Sequence, residues 1–336
     1  MTEIIQQLET VSSRCRQRAG NPTPLRLIAE AAEREGRPLA APLSVRIEII
    51  DSCRQRCIFC LQELQKNTRA ERGPVPRERL GFLAEEMAEL GVAEAVLSGG
   101  EPGCHPELAG IVRDFKAEGM KVILETSGAD LPLSVLSELG DLLEPARDLV
   151  RVSLDAATAE TYRVLRGVDA FGEIREVLKA LRRANIPFAT TTVMMRPNRD
   201  ELVRIAKDAR EAGAVACDFG PPFVGGQSSL PGELELSELL DCCLELLAMD
   251  PGIPLHLHTM HAALKMAPPA GGSAFSCTAG LVGCAVDVRG RVAACPYLND
   301  AGFSTGTWKP GTFADLWKRV GNAWAESKAP CPICPC

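Results

Sequence analysis

Cys53, Cys57 and Cys60 are the residues whose types and spacing point most directly to chemistry in this chain. Their spacing is CxxxCxxC. A four-iron cluster normally takes one cysteine thiolate for each iron, so three cysteines leave one iron free to chelate another molecule. A zinc site is the alternative, but zinc sites usually combine two CxxC-like pairs. The spacing therefore favours an iron–sulfur cluster with one open iron.

The elements that must position this loop follow from hydrophobic periodicity. From residue 43 to about 225, strand-like runs alternate with amphipathic helical runs, which predicts βα units and a parallel sheet. The predicted strands are residues 44–50, 93–98, 121–126, 149–154, 188–194 and 214–219, and the predicted helices are 77–90, 107–118, 158–165, 171–184 and 199–212. The fold class is therefore α/β, a partial (β/α)6 parallel barrel with its chemistry at the carboxyl ends of the strands.

We predict four segments in the chain. Residues 1–42 form an N-terminal helical extension and residues 43–230 form the partial barrel. Residues 231–266 are a connecting segment with a helix at 237–248 and a possible strand at 253–258. Residues 267–336 form a small C-terminal cluster-binding domain, entered through the Pro- and Gly-rich stretch at 267–273.

Charge and composition limit the partners and the compartment. The net charge is -7 and no basic run offsets it, which argues against a nucleic-acid partner. No apolar stretch is long enough to cross a bilayer, so we expect no membrane partner and a cytoplasmic protein. That compartment keeps thiols reduced, so the 14 cysteines indicate metal or cluster ligation rather than disulfides.

Polar motifs follow the second, third and fourth predicted strands. The second ends in Ser98-Gly-Gly-Glu-Pro102 and the third in Thr126-Ser-Gly128. The fourth ends in Ser153-Leu-Asp155 and is followed by a Tyr-x-x-x-Arg-Gly pattern at residues 162–167. Two glycines allow a backbone to approach a ligand closely, and a carboxylate beside them can accept from an ammonium group.

The cysteine loop and these motifs together resemble the radical SAM superfamily, and the motifs after the fourth strand resemble its SPASM and twitch branches. In that superfamily the open iron binds the amino and carboxylate groups of S-adenosylmethionine (SAM), and one electron from the [4Fe-4S] cluster cleaves SAM to a 5'-deoxyadenosyl radical. The resemblance implies an enzyme that takes this electron from an external reductant of the flavodoxin or ferredoxin type.

The resemblance also implies the SAM-binding residues. Gly99, Gly100 and Glu101 would bind the amino group of SAM. Thr126 and Ser127 would lie near its ribose, Ser153 would contact SAM, and Arg166 would face its carboxylate, as a guanidinium suits. The alternatives are a solvated turn for the third-strand motif and an exposed helix charge for Arg166.

A second cysteine group follows residue 267. Cys277, a short hairpin turned at Arg289-Gly290 and Cys295 precede a final CxxC-like run. This arrangement resembles the auxiliary-cluster domain of SPASM and twitch enzymes, although the full signature has seven cysteines and a longer tail. The resemblance implies one auxiliary [4Fe-4S] cluster, with zinc as the alternative. Four of six cysteines would ligate it: Cys277, Cys284, Cys295, Cys331, Cys334 and Cys336.

The substrate is predicted less directly. Alternation along the sixth strand puts Cys217 and Phe219 on one face and Asp218 on the other. Cys217 is a small core residue or a hydrogen-atom donor to a substrate radical, a role that Cys104 could also take. The further substrate candidates are Asp155, which could instead cap a helix, and Arg196, His256 and His258.

Enzymes with auxiliary clusters act mainly on peptides or on sugars and aminocyclitols in antibiotic pathways. The short N-terminal extension favours a small polyhydroxylated substrate. We therefore expect epimerisation of a sugar carbon with Cys217 as the donor. The alternatives are a two-electron dehydrogenase of an aminocyclitol or sugar alcohol, a ribosomal peptide maturase, and a non-enzymatic iron–sulfur or zinc scaffold.

Overall fold

The computed structural model describes residues 35–60, 73–222, 230–257, 279–298 and 304–326, together with residues 28 and 32. These ranges contain one ten-stranded sheet with the order β10-β9-β8-β1-β2-β3-β4-β5-β6-β7. The strands are β1 Ser44–Ile50, β2 Glu94–Gly99, β3 Lys121–Thr126, β4 Leu149–Ser153, β5 Phe188–Val193, β6 Cys217–Gly220, β7 Leu255–Leu257, β8 Gly283–Val286, β9 Arg291–Ala293 and β10 Gly306–Thr307.

Strands β1 to β7 are parallel and pair in chain order, so their carboxyl ends share one edge of the sheet. Helices connect most of them, as in other parallel βα proteins. The helices are α1 Arg77–Leu90, α2 Leu108–Ala117, α3 Leu133–Leu142, α4 Ala159–Arg166, α5 Phe171–Arg183, α6 Leu202–Ala212, α7 Leu236–Met249 and α8 Phe313–Glu326. This architecture confirms the predicted α/β fold of the partial-barrel type.

Two helices in this order, α3 and α8, were not predicted. Helix α3 follows Pro132 and buries Leu136 and Leu139. Two buried leucines make a narrow apolar stripe, which gives a weaker helical signal than the stripes of α1 or α5. The predicted strand at 253–258 is present as the shorter β7.

The two faces of the sheet have different environments. Val45, Ile47 and Ile49 of β1 are buried in the main core with residues of α1 such as Leu83 and Met87. Residues at alternating positions in a strand point to opposite faces. The intervening Arg46 and Glu48 therefore point away from the helices, into the interior of the barrel.

The C-terminal hairpin extends the same sheet. Strand β8 pairs in parallel with β1 and antiparallel with β9. The turn between them holds Gly290 at φ 81°, and the Asp287 carboxylate accepts hydrogen bonds from the backbone N–H groups of Arg289 and Arg291. The predicted hairpin turn is thus present, while the proposed boundary at residue 267 lies outside the described residues.

No helix in the described ranges is both long enough and apolar enough to cross a bilayer.

Candidate active site at the carboxyl edge of the sheet

The three cysteines of the first group lie on the loop that leaves β1. Cys57 is buried, and Cys53 and Cys60 are partly exposed. Burial raises the pKa of the Cys53 thiol to about 12, and the neighbouring Glu101, Cys57 and Cys60 groups act in the same direction. Burial also raises the pKa of Cys57, against an opposing effect of Arg166. The three thiols are therefore near enough to affect one another electrostatically.

This set of donors fits an iron–sulfur cluster. Three thiols on one short loop, without a histidine or carboxylate ligand among them, are the ligand type that such clusters take. Within the described ranges, no three His, Cys, Asp or Glu side chains are grouped as around a single metal ion. Each cysteine of a four-iron cluster binds a different iron, so these thiols need not converge on one point.

Gly99 and Gly100 place the end of β2 against the start of this loop. The Gly100 N–H donates to the Ile50 carbonyl at 2.7 Å, and the Glu101 N–H donates to the Ser52 carbonyl at 2.9 Å. A Cβ atom at Gly100 would lie 2.3 Å from the Ser52 carbonyl oxygen, and one at Gly99 would lie 2.1 Å from the Ile50 carbonyl oxygen. Both glycines are therefore required for backbone contact with the cysteine loop.

The Glu101 carboxylate lies at the same edge and is buried. It accepts hydrogen bonds from Thr126 Oγ1 and Ser127 Oγ, both at 2.5 Å, and from the Ser127 and Gly103 N–H groups at 2.7 and 2.9 Å. These four donors occupy about as many sites as a carboxylate offers. Thr126 and Ser127 thus hold Glu101, whereas the sequence analysis assigned them to the ribose of SAM.

Arg166 lies at the end of α4 and is buried rather than an exposed helix charge. Its Nε donates to Asp155 Oδ2 at 2.6 Å, and Nη2 forms a second contact with the same oxygen. Asp155 is fully buried, and its Oδ1 accepts from the Val193 N–H at 2.6 Å. Asp155 therefore neutralises Arg166 and does not face a substrate, which corrects the prediction for this residue.

The same guanidinium reaches the cysteine loop. Arg166 Nη1 lies 3.0 Å from Gln55 Oε1 and 3.5 Å from Cys57 Sγ. Gln55 Nε2 in turn donates to the Tyr162 hydroxyl at 2.7 Å. Ser153 ends β4 on the neighbouring part of this edge and is partly exposed. The predicted SAM-binding residues and the cysteines thus lie along the carboxyl ends of β1 to β4.

Charged side chains line the interior below this edge. Arg46 is paired with Glu125, whose other oxygen accepts from Arg151 Nη1 at 2.9 Å. Arg151 Nε lies 3.2 Å from Asp218 Oδ2, and the Asp218 Oδ1 accepts from His256 Nδ1 at 2.7 Å. The ion pairs form a continuous chain from β1 to β7, which we term the interior polar chain.

Cys217 lies on the opposite face of β6 from Asp218. It has no exposed surface, belongs to the main core and receives a hydrogen bond from Thr190 Oγ1 at 3.3 Å. Burial raises its pKa to about 11. The structure therefore argues against Cys217 as a hydrogen-atom donor, because its thiol faces the helix layer. Cys104 is exposed and ends the short 3-10 helix that follows Glu101.

The other two described substrate candidates have different surroundings. The Arg196 guanidinium forms an exposed ion pair with Glu238 at 2.6 Å, and its contact with a substrate stays a prediction. The His256 side chain is 62% exposed although its Nδ1 is held by Asp218. His258 lies outside the described residues.

The second cysteine group is described only in part. Cys284 lies on β8 in the main core, and burial raises its pKa to about 12. Its position facing the helices argues against its prediction as a cluster ligand. Cys295 follows β9 and packs against the small cluster of Ala293 and Leu298. Cys277, Cys331, Cys334 and Cys336 lie outside the described residues, so the auxiliary cluster stays a prediction.

Sequence reasoning missed Gln55 and the interior polar chain. A signal for that chain was present, because Arg46, Glu125, Arg151 and Asp218 are charged residues within strands that are otherwise apolar. Charges at such positions are costly unless they are paired or serve a site. Gln55 gave no such signal, since a polar residue in a loop is ordinary.

Comparison with known proteins adds to this geometry. The Radical SAM superfamily matches residues 47–209. An AdoMet-dependent heme synthase of Methanosarcina barkeri is 29% identical over 177 residues, which are 52% of this chain and 49% of the synthase. A probable GTP 3',8-cyclase of Metallosphaera sedula is 28% identical over 182 residues, which are 54% of this chain and 55% of the cyclase.

Among solved structures, Streptococcus suis SuiB bound to its precursor peptide SuiA is similar in fold. The TM-score is 0.72 at 14% identity, over 87% of this chain and 68% of SuiB. The chain spans about half the length of the curated relatives that it matches. The match, the fold and the cysteine loop agree, and residues 47–209 form a Radical SAM superfamily domain.

Proposed function

We propose that this protein is a radical SAM enzyme that holds a [4Fe-4S] cluster on Cys53, Cys57 and Cys60. The observation that carries the proposal is the position of these three cysteines on one loop beyond the carboxyl end of β1, where the Cys60 N–H donates to the Cys57 carbonyl at 3.1 Å and the Glu101 N–H donates to the Ser52 carbonyl at 2.9 Å. In this superfamily the reduced cluster cleaves bound SAM, and the 5'-deoxyadenosyl radical produced removes a hydrogen atom from a substrate. The name of the archaeal heme synthase, which states that it depends on AdoMet, supports the same cofactor.

Different residues around the loop would contact different parts of SAM. Gly99 and Gly100 keep the end of β2 against the loop, so their backbone would form the surface that SAM contacts. Glu101 supplies a buried negative charge near the loop, and the ammonium group of SAM would contact it by replacing one of the two hydroxyl donors, Thr126 Oγ1 or Ser127 Oγ. Ser153 lies two strands away on the same edge and would supply a further polar contact. An external one-electron reductant would complete the reaction.

The interior polar chain supports a small polar substrate. Its carboxylates and guanidiniums lie below the edge where SAM would bind, and they are only partly shielded from solvent. Hydroxyl and amino groups are suited to such a wall because they can donate to Glu125 and Asp218 or accept from Arg151. This supports a polyhydroxylated or amino-substituted compound of the sugar type.

Between the two reactions considered for such a substrate, we favour two-electron oxidation of a carbinol. Epimerisation requires a hydrogen-atom donor inside the barrel, and Cys217 faces the helices instead. Oxidation requires a base, and His256 is a candidate. Asp218 holds His256 Nδ1 at 2.7 Å, an arrangement that fixes the ring and stabilises its protonated form.

The electrons and protons balance as follows. Bound SAM, cleaved with one external electron and release of methionine, would supply the radical that removes one hydrogen atom from the carbinol carbon and leaves as 5'-deoxyadenosine. His256 would take the hydroxyl proton, and the proposed auxiliary cluster would accept the remaining electron. The substrate is left as a carbonyl compound, after loss of one hydrogen atom, one proton and one electron.

The test uses the protein reconstituted anaerobically with iron and sulfide. With dithionite and SAM we expect release of 5'-deoxyadenosine, and with a panel of sugar alcohols and aminocyclitols we expect a carbonyl product. His256→Gln should lower product formation by about 100-fold while leaving 5'-deoxyadenosine release measurable. Arg196→Gln is the matched control, because that residue forms an exposed ion pair, and it should retain product formation.

Three outcomes would contradict parts of this proposal. Absence of SAM cleavage, with zinc bound in place of iron, would establish a scaffold protein. An epimer carrying solvent deuterium at the inverted carbon would establish epimerisation instead of oxidation. Turnover only with a peptide would establish a maturase, the class to which the precursor-bound SuiB structure draws attention.

A further inference from the structure

The end of helix α4 is attached to the cysteine loop by backbone and side-chain contacts. The Arg56 N–H donates to the Arg166 carbonyl at 2.9 Å, and the Ile58 N–H donates to the Leu165 carbonyl at 3.0 Å. Gly167, at φ 69°, lies so close to Arg56 that a Cβ atom there would approach its carbonyl oxygen to 2.9 Å. The residues on both sides of Cys57 are therefore fixed by the end of one helix.

The Arg166 side chain adds a charged donor at the centre of this contact. Its Nη1 lies 3.5 Å from Cys57 Sγ, within hydrogen-bonding distance for sulfur, and 3.0 Å from Gln55 Oε1. Residue Arg166 is 7% exposed, and Asp155 binds the other two nitrogens of its guanidinium. The planar Arg166 guanidinium thus contacts the buried Asp155 carboxylate and the Cys57 thiol at the same time, which the single ammonium group of a lysine cannot do.

The pairing with Asp155 also restricts what else Arg166 can bind. A guanidinium has five N–H donors, and four of those of Arg166 are directed at Asp155, Gln55 and Cys57. A carboxylate of SAM could therefore form a two-point contact with Arg166 only by displacing one of these partners. Phe59 covers the guanidinium as well, with its ring centroid 5.3 Å from Arg166 Cζ.

We infer that Arg166 is a positioning residue that acts on the cluster through Cys57, rather than a two-point ligand of the SAM carboxylate. Hydrogen bonds to the sulfurs of an iron–sulfur cluster are among the factors that set its reduction potential. A charged donor at a ligand sulfur favours the more negative, reduced state. Arg166 would therefore make the cluster easier to reduce, and this inference rests on the proposed cluster.

The test is a redox titration of the reconstituted protein followed by electron paramagnetic resonance, without SAM. Arg166→Lys keeps a positive charge for Asp155 but cannot reach Asp155 and Cys57 together. We expect the ratio of reduced to oxidised cluster at the wild-type midpoint to fall about tenfold, which is about 59 mV for a one-electron couple. Arg163→Lys is the matched control, since Arg163 lies on the same helix and pairs with Asp169 at the surface.

A second variant tests the inference if Arg166→Lys does not fold. Combined Arg166→Gln and Asp155→Asn removes both buried charges together and should shift the ratio in the same direction. An unchanged potential in Arg166→Lys with weaker SAM binding, measured separately, would overturn the inference and assign the guanidinium to SAM. Absence of an iron–sulfur signal in the wild-type protein would instead refute the proposed function, so the two failures are distinguishable.

Discussion

Cys53, Cys57 and Cys60 lie on a loop beyond the carboxyl end of β1, whereas Cys217 and Cys284 lie within strands and pack against helices. The loop is in contact with charged residues, because Arg166 Nη1 lies 3.5 Å from Cys57 Sγ and the Glu101 N–H donates to the Ser52 carbonyl at 2.9 Å. The strand thiols belong to the main apolar core, and the hydroxyl of Thr190 donates to Cys217 there. A cysteine in this fold is therefore available for chemistry when it lies on a loop after a strand, and it is a core residue when it lies within a strand and faces the helices.

The largest effect should follow from removing a loop thiol. Replacement of Cys53, Cys57 or Cys60 singly by alanine should lower 5'-deoxyadenosine formation at least about 100-fold, because each would bind a different iron. The measurement is product quantification by chromatography, together with iron per chain. Cys284→Ala is the matched control and should retain SAM cleavage. Equal losses of 5'-deoxyadenosine formation in the loop and strand variants would show that the two groups of cysteines do not differ in function.

The next effect concerns the backbone contact that supports the loop. Gly100→Ala should lower the free energy of unfolding by about 2 kcal/mol and reduce iron binding, because its Cβ would lie 2.3 Å from the Ser52 carbonyl oxygen. Thermal unfolding and iron analysis measure both. Gly172→Ala, in α5 with no atom within 4 Å of the added Cβ, should be neutral or stabilising. Normal iron binding in Gly100→Ala would argue against this support.

The strand cysteines should matter for stability alone. Cys217→Ala should lower the free energy of unfolding by about 1 kcal/mol through lost packing and leave the reaction product unchanged. Chemical denaturation and product analysis measure the two quantities. A Cys217→Ala protein that is fully stable but no longer forms product would restore the hydrogen-donor role to this thiol.

The smallest effect is a dependence on pH. The Cys217 pKa is raised from 9.0 to about 11 in the folded protein, so the unfolded chain loses its proton first as pH rises. The stability contribution of this thiol is complete below pH 9 and is lost as pH approaches 11. The stability difference between wild type and Cys217→Ala should therefore narrow across that range. A constant difference would show that the thiol is not buried as described.

The sequence predicted most of the fold because the strand and helix periods are clear. The predicted strands 44–50 and 121–126 coincide with β1 and β3, and the cysteine loop was found from its spacing. Alternation also separated Cys217 from Asp218 correctly. Alternation did not determine which face of β6 points into the barrel interior and which faces the helices. Both faces are buried, so the pattern of apolar residues does not distinguish them.

The positions of the site residues along the sheet edge could be predicted from the sequence, but their hydrogen-bond and ion-pair partners could not. Glu101, Thr126 and Ser127 were assigned to the correct edge, yet their hydrogen bonds to one another depend on the pairing of β2 with β3. The same holds for Asp155 and Arg166, 11 residues apart, whose ion pair requires α4 to return to the edge of the sheet. Such contacts arise from tertiary packing and have no local sequence signal.

Electron paramagnetic resonance of the reduced, reconstituted protein with and without SAM would show whether Cys53, Cys57 and Cys60 leave one iron of a cluster open to SAM. We predict an iron–sulfur signal whose shape changes when SAM is added, and which is absent from Cys57→Ala. A signal unaffected by saturating SAM, or one retained in Cys57→Ala and unchanged in form, would contradict the account.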